Sequence, residues 1–280
     1  MSRHRDSVGW VLCTASAVAT TLAWASLCFA GWMGEVPTSD VPDGAYPDGN
    51  QCVAADASGN LHTVWGSNAG LKYREYLRGG GWASDAERVD DGSDIGGTPC
   101  IAVDGVGNVH VVWWTYHGGS GEIYYREKHV STGWDATPTL LGNSKVDELS
   151  PSIAVDSQGV VHVVWCKNQS FIGPKIRYVF KDQVTGWGDG YIISQAEGGI
   201  NPCICVDNQD NLHVTWIGGN YDVYYRKYTH GIGWDASPTQ LTSDPYYKDR
   251  TCIAADGLGC VHVVRKDRAL QVSTPQRGMG

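Results

Sequence analysis

The chain has 280 residues, with 21 Lys and Arg against 30 Asp and Glu, and this formal charge of −9 at pH 7 argues against a phosphate backbone as partner. Its 12 Trp, 14 Tyr and 36 Gly, with abundant Val, favour strands and tight turns over helices. A single all-β unit accommodates such a length.

Arg3 and Arg5 precede an apolar stretch from Val8 to Ala30, which ends in the small-residue sites Ala23-Trp24-Ala25 and Cys28-Phe29-Ala30. That layout predicts a signal peptide over 1–30 and a secreted, periplasmic or cell-surface location for the rest. The alternative is an uncleaved anchor, since the stretch approaches the ~20 residues of a spanning helix; membrane contact is expected only through this segment.

Residues 31–280 read as one repeat domain. The segment Pro151 to Trp165 recurs along the chain. Its Asp falls at Asp56, Asp104, Asp156, Asp207 and Asp256, and its His at His62, His110, His162, His213 and His262. Trp65, Trp113, Trp165 and Trp216 close the first four copies, and Arg265 stands in the fifth. Asp spacings of 48, 52, 51 and 49 residues suit four short strands with turns. The first strand is short and apolar, as in Ile101-Ala-Val-Asp104, and the second is rich in β-branched residues, as in Val109 to Trp113. Between them Asp bonds its own backbone, and Gly59, Gly107, Gly159 and Gly259 supply a positive φ, with Asp210 in the fourth copy. The third strand alternates, as in Ile123-Tyr-Tyr-Arg126, and the fourth is expected to follow a Gly-Trp pair such as Gly133-Trp134.

The Gly-Trp pairs run out of phase with the Asp-His set, since Gly31-Trp32 opens the mature chain ahead of any first strand. An N-terminal strand near Trp32 to Ser39 can therefore complete the last blade beside Leu270 to Val272 and hide both edges. The expectation is a β-propeller of four-stranded antiparallel blades, five in number and closed by the N-terminal strand. The alternative is a truncated six- or seven-bladed propeller.

Beyond the export segment lie seven cysteines, an odd number that argues against a complete disulfide framework. Cys52, Cys100, Cys203 and Cys252 share one repeat position with Ser152, which favours packing of a small side chain.

These units resemble the sialidase-like, Asp-box repeats of secreted propellers. In that family the box reads Ser-x-Asp-x-Gly-x-Thr-Trp between the third and fourth strands. Val130 to Trp134 and His230 to Trp234 keep Gly and Trp but lose Asp and Thr. The family's catalytic arginine triad begins in an Arg-Ile-Pro motif, which this chain lacks, so the resemblance carries over no catalytic residue. Arg74, Arg126 and Arg226 recur at equivalent positions and read as repeat architecture.

One His per blade is spread around a ring and cannot converge on one ion, so the repeated Asp and His read as structural and no metal or cofactor is expected. Irregular loop residues are the better ligand candidates. On the face of the second-to-third and fourth-to-first connections these are Trp114, Tyr116, His117, Tyr221, Asp222, Tyr246 and Tyr247. Aromatics beside carboxylates and amides suit carbohydrate. The leading expectation is a non-enzymatic binding or scaffold module for a glycan or surface protein. A glycoside hydrolase, with Glu122, Glu148, Asp222 and Asp249 as candidate acids, is the rival. An architectural segment of a larger surface protein is the third reading.

Overall fold

The computed structural model describes residues 52–268 apart from 93–96, 118, 143–144, 170–172 and 245. The signal-peptide segment and the two stretches expected to close the ring lie outside these residues.

The chain is a propeller-type all-β fold, and the four complete blades among the described residues follow one plan. Blade 1 holds β1 (Val53–Ala55), β2 (Leu61–Ser67), β3 (Gly70–Leu77) and an outer strand in two pieces, β4 (Gly81–Trp82) and β5 (Glu87–Arg88). Blade 2 holds β6 (Gly97–Val103), β7 (Val109–His117), β8 (Ser120–His129), β9 (Gly133–Trp134) and β10 (Thr139–Gly142). Blade 3 holds β11 (Glu148–Val155), β12 (Val161–Gln169), β13 (Gly173–Asp182), β14 (Gly186–Trp187) and β15 (Tyr191–Ile192). Blade 4 holds β16 (Ile200–Val206), β17 (Leu212–Ile217), β18 (Val223–Thr229), β19 (Gly233–Trp234) and β20 (Thr239–Gln240). In blade 5 the described strands are β21 (Tyr247–Ala255) and β22 (Val261–Arg268). Every pairing is antiparallel, and the first strand of each sheet touches that of the next, which sets the first strands innermost.

The repeated turn explains the register. Asp104 Oδ1 accepts the Val106 and Asn108 amides at 3.0 and 2.8 Å, and Gly107 takes φ 96°. Asp210 takes the glycine's place in blade 4 at φ 59°, a region Asp visits at modest cost. The inner strands of blades 2, 3 and 4 then bulge just before a proline: Thr98, Ser150 and Asn201 have φ 36°, 54° and 48°, where the ladder slips.

The outer strand differs from expectation. It begins at the Gly-Trp pair instead of following it, and breaks in the middle. In blade 2 the chain leaves the ladder at Asp135, whose carbonyl accepts both Arg126 Nε and Nη2, at 3.0 and 2.7 Å. Pro138 then has no amide to donate, and pairing resumes at Thr139. Arg126 Nη1 also donates to the Val89 carbonyl of the preceding blade at 2.7 Å. The recurring arginine thus holds the break open and ties two blades.

The core lies between blades. Val64, Leu71 and Tyr73 pack on Ile101, Val111 and Trp113; Cys100, Val112 and Tyr125 on Ile153, Val163 and Trp165; Val164, Ile176 and Tyr178 on Ile204, Val214 and Trp216. A buried tryptophan removes on the order of 150–250 Å² from water, which makes these residues the main hydrophobic tie at each of the first three seams. At the fourth seam Arg265 replaces the tryptophan, and its Nη1 bonds Asp244 Oδ2 at 2.8 Å.

Candidate functional site

On the face of the Asp turns, each complete blade lines up an Asp, a His and a Tyr, hydrogen-bonded throughout in blades 3 and 4, whereas His62 and His110 Nε2 stand 3.5 Å from Asp56 and Asp104. His213 Nε2 lies 3.0 Å from Asp207 Oδ2, so Nε2–H donates to the carboxylate and Nδ1 accepts the Tyr225 hydroxyl at 2.8 Å. His62 meets Tyr73 at 2.7 Å, His110 meets Tyr125 at 2.8 Å and His162 meets Tyr178 at 2.9 Å. Tyr73, Tyr125 and Tyr178 then pack edge-on against Trp134, Trp187 and Trp234 of the following blade. Burial pushes these three hydroxyls far above their usual value and Tyr225 to about 12, so all stay protonated. Burial alone would raise the aspartates, but hydrogen bonds outweigh it: those from Asn211, His213 and backbone amides hold Asp207 at about 2. Asp56, Asp104 and Asp156 are lowered in the same way.

Two neighbouring seams use the same residue types differently. Between blades 2 and 3, Lys181 Nζ bonds Glu127 Oε2 at 2.5 Å and closes the space over Tyr125. Between blades 1 and 2, Lys128 turns to Glu87 and covers the Tyr73 ring at 4.6 Å, and a cleft of about 450 Å³ opens beside Asp56, His62, Glu75 and His129. Asp56, His62 and Glu75 here, and Glu127, His129 and Asp135 nearby, each bring three metal-type donor atoms within 4.8 Å. His129 bonds Glu127 Oε1 at 3.2 Å and Asp135 Oδ1 at 3.0 Å, so the second set is bonded within itself, and Lys181 and Tyr125 also donate to Glu127.

The opposite face carries the loop residues. The structure brings Tyr221, Asp222 and Tyr247 together where blade 4 meets blade 5. The Tyr221 and Tyr247 rings lie 4.3 Å apart at 39°. Tyr221 is 45% exposed and has φ 63°, a conformation that costs a bulky residue about 1–3 kcal/mol. The turn imposes it, with Tyr221 N donating to the Gly218 carbonyl at 2.9 Å and Gly218 N to the Asp222 carbonyl at 2.8 Å. Tyr246 stands beside the pair and is half exposed.

Asp222 is not a surface group. It is 6% exposed and accepts Asn220 Nδ2, Gln240 Nε2 and Thr242 Oγ1 at 2.7–2.9 Å. Lys248, 1% exposed, bridges Asp222 Oδ1 at 3.1 Å and Asp244 Oδ1 at 2.7 Å. Its ammonium stays charged despite burial, because both carboxylates hold its pKa above the usual value. The sequence did not single out Lys248, which stands in the charged run Lys248-Asp249-Arg250 near the start of β21.

The remaining loop candidates sit on blade 2, apart from this pair. Trp114 lies partly buried over Gly97, whereas Tyr116 and His117 are exposed. The candidate acids are dispersed. Glu122 accepts the Tyr124 hydroxyl at 3.0 Å, Glu148 is buried 3.6 Å from Lys167, and Asp249 lies 3.7 Å from Lys266.

No protein-family model and no curated protein matches the sequence. Solved structures do match the fold. One is a protein of unknown function from Dyadobacter fermentans, at 9% identity and TM-score 0.54, covering 72% of this chain and 70% of that one. Another is an ulvan lyase from a polysaccharide lyase family, at 12% identity and TM-score 0.55, covering 76% of this chain and 61% of that one. A third is the Aleuria aurantia lectin in complex with alpha-methyl-L-fucoside, at 16% identity and TM-score 0.51, covering 77% and 69%. The chain thus spans about three fifths of the lyase's length. At such identities the likeness concerns the fold.

Proposed function

We propose that this chain is an exported propeller that binds carbohydrate without cleaving it, its ligand stacking on Tyr221 and Tyr247. The observation that carries the reading is the strained, half-exposed Tyr221 ring held against Tyr247. Strain of this kind persists where surrounding structure enforces it, and it is common at ligand sites. A paired aromatic surface takes the apolar face of a sugar ring, while neighbouring amides and carboxylates serve its hydroxyls.

Two further points support the reading. The fold is similar to that of a lectin and of a polysaccharide lyase. Among the described residues the candidate acids are each engaged by partners of their own, whereas a hydrolase needs two carboxylates about 5–10 Å apart across a pocket. The Arg3 to Ala30 layout supports export, and the degenerate Gly-Trp turns support a resemblance to sialidase-like repeats.

A glycan array run beside fluorogenic glycosidase assays tests it. The expected outcome is binding to a restricted set of glycans with no turnover. Hydrolysis of any substrate in the panel, or silence across the whole array, would contradict it.

A further inference from the structure

Two of the four cysteines that share the inner-strand repeat position meet across the fourth seam. Cys203 on β16 and Cys252 on β21 place their sulfurs 3.9 Å apart across the fourth seam. Cys203 is buried and Cys252 is exposed. We propose that Cys203 and Cys252 form a thiol–disulfide exchange site that accepts small-molecule disulfides of the glutathione type and, once oxidised, staples blade 4 to blade 5. The inference stands independently of any carbohydrate ligand.

The two sulfurs have different chemistry. The hydrogen bond donated by the Cys203 thiol lowers Cys252 to about 7, and the same bond together with burial pushes Cys203 well above the usual thiol value. Cys252 is therefore the attacking group, exposed and partly thiolate at neutral pH. Its sulfur attacks one sulfur of the small disulfide, forms a mixed disulfide and expels one thiolate. Cys203 then loses its proton and attacks the Cys252 sulfur, which releases the second thiolate. Two protein thiols are oxidised, one small disulfide is reduced to two thiols, and no other oxidant enters.

The place is also the one where a covalent tie has most to add. The first three seams each carry a buried tryptophan, but this one has Arg265 and relies on polar contacts, including Thr251 Oγ1 to Thr215 Oγ1 at 3.3 Å. Closing the pair requires the sulfurs to approach from 3.9 Å to a bond length near 2.05 Å, for which the exposed Cys252 side chain has room to rotate.

The test incubates the reduced full chain with oxidised glutathione, blocks remaining thiols with N-ethylmaleimide and maps peptides by mass spectrometry. The expected result is a linked Cys203–Cys252 peptide, preceded by a transient glutathione adduct on Cys252. Cys203→Ser is expected to trap that adduct, and Cys252→Ser to leave Cys203 unmodified. In the reduced wild-type chain, iodoacetamide should label Cys252 about tenfold faster at pH 7 than Cys260, the other exposed cysteine, with a midpoint near pH 7. A stable adduct on wild-type Cys252 without linkage, a Cys252 left untouched, or linkage of another pair would overturn the proposal. Should Cys203→Ser fail to fold, the wild-type time course alone decides.

Discussion

At the scale of single residues, the repeat places a polar chain inside an apolar seam, and every member depends on its neighbour. His162 joins Tyr178 at 2.9 Å and Asp156 at 3.3 Å. His162→Ala leaves both partners unsatisfied and is expected to lower stability by about 1–3 kcal/mol in urea unfolding. Release of a stoichiometric metal ion by this variant would instead mark the histidine as a ligand. The carboxylates at the other end of these chains make a pH prediction. Asp207 is held at about 2, below an unfolded value near 3.9. Its contribution is therefore complete above about pH 4 and is lost as pH falls through about 2. Asp207→Asn should flatten the decline of stability over that interval. An unchanged slope would show that other carboxylates govern it.

At the scale of elements, strands and turns were legible in the sequence because their causes are local. The Asp turn, the positive-φ glycine and the alternating third strand each act within a few residues, so the repeat register could be read directly. The broken outer strand could not, since it needs Arg126 to reach the Asp135 carbonyl nine residues on and the preceding blade at Val89. Asp222 shows the same limit in the candidate site. It reads as a surface acid beside Tyr221, but its burial follows from Lys248, 26 residues away. That ion pair latches blade 5 to blade 4. Lys248→Ala leaves the buried Asp222 without its cation, with only Asn220, Gln240 and Thr242 still donating to it while Arg265 keeps Asp244 paired, and is expected to cost about 3 kcal/mol, with amide exchange accelerated first in β21 and β22. Uniform acceleration across all blades would contradict a local latch.

At the scale of the whole molecule, a rigid array of near-identical blades presents two faces with different roles. One repeats its polar chains from seam to seam. The other varies from blade to blade and offers the asymmetry that recognition of one ligand requires. The central claim is that the strained Tyr221 exists to bind. Tyr221→Gly tests it most directly, because glycine adopts φ 63° without strain and should preserve the turn while removing the ring. The measurement is calorimetric titration of this variant, of Tyr247→Ala and of the opposite-face control Gln158→Ala with the oligosaccharide that binds wild type most tightly on the array. Affinity about 10- to 100-fold weaker is expected for the two tyrosine variants and wild-type affinity for the control, with Tyr221→Gly melting within about 4 °C of wild type. Wild-type affinity in Tyr221→Gly, or loss of binding in Gln158→Ala with its fold intact, would contradict it.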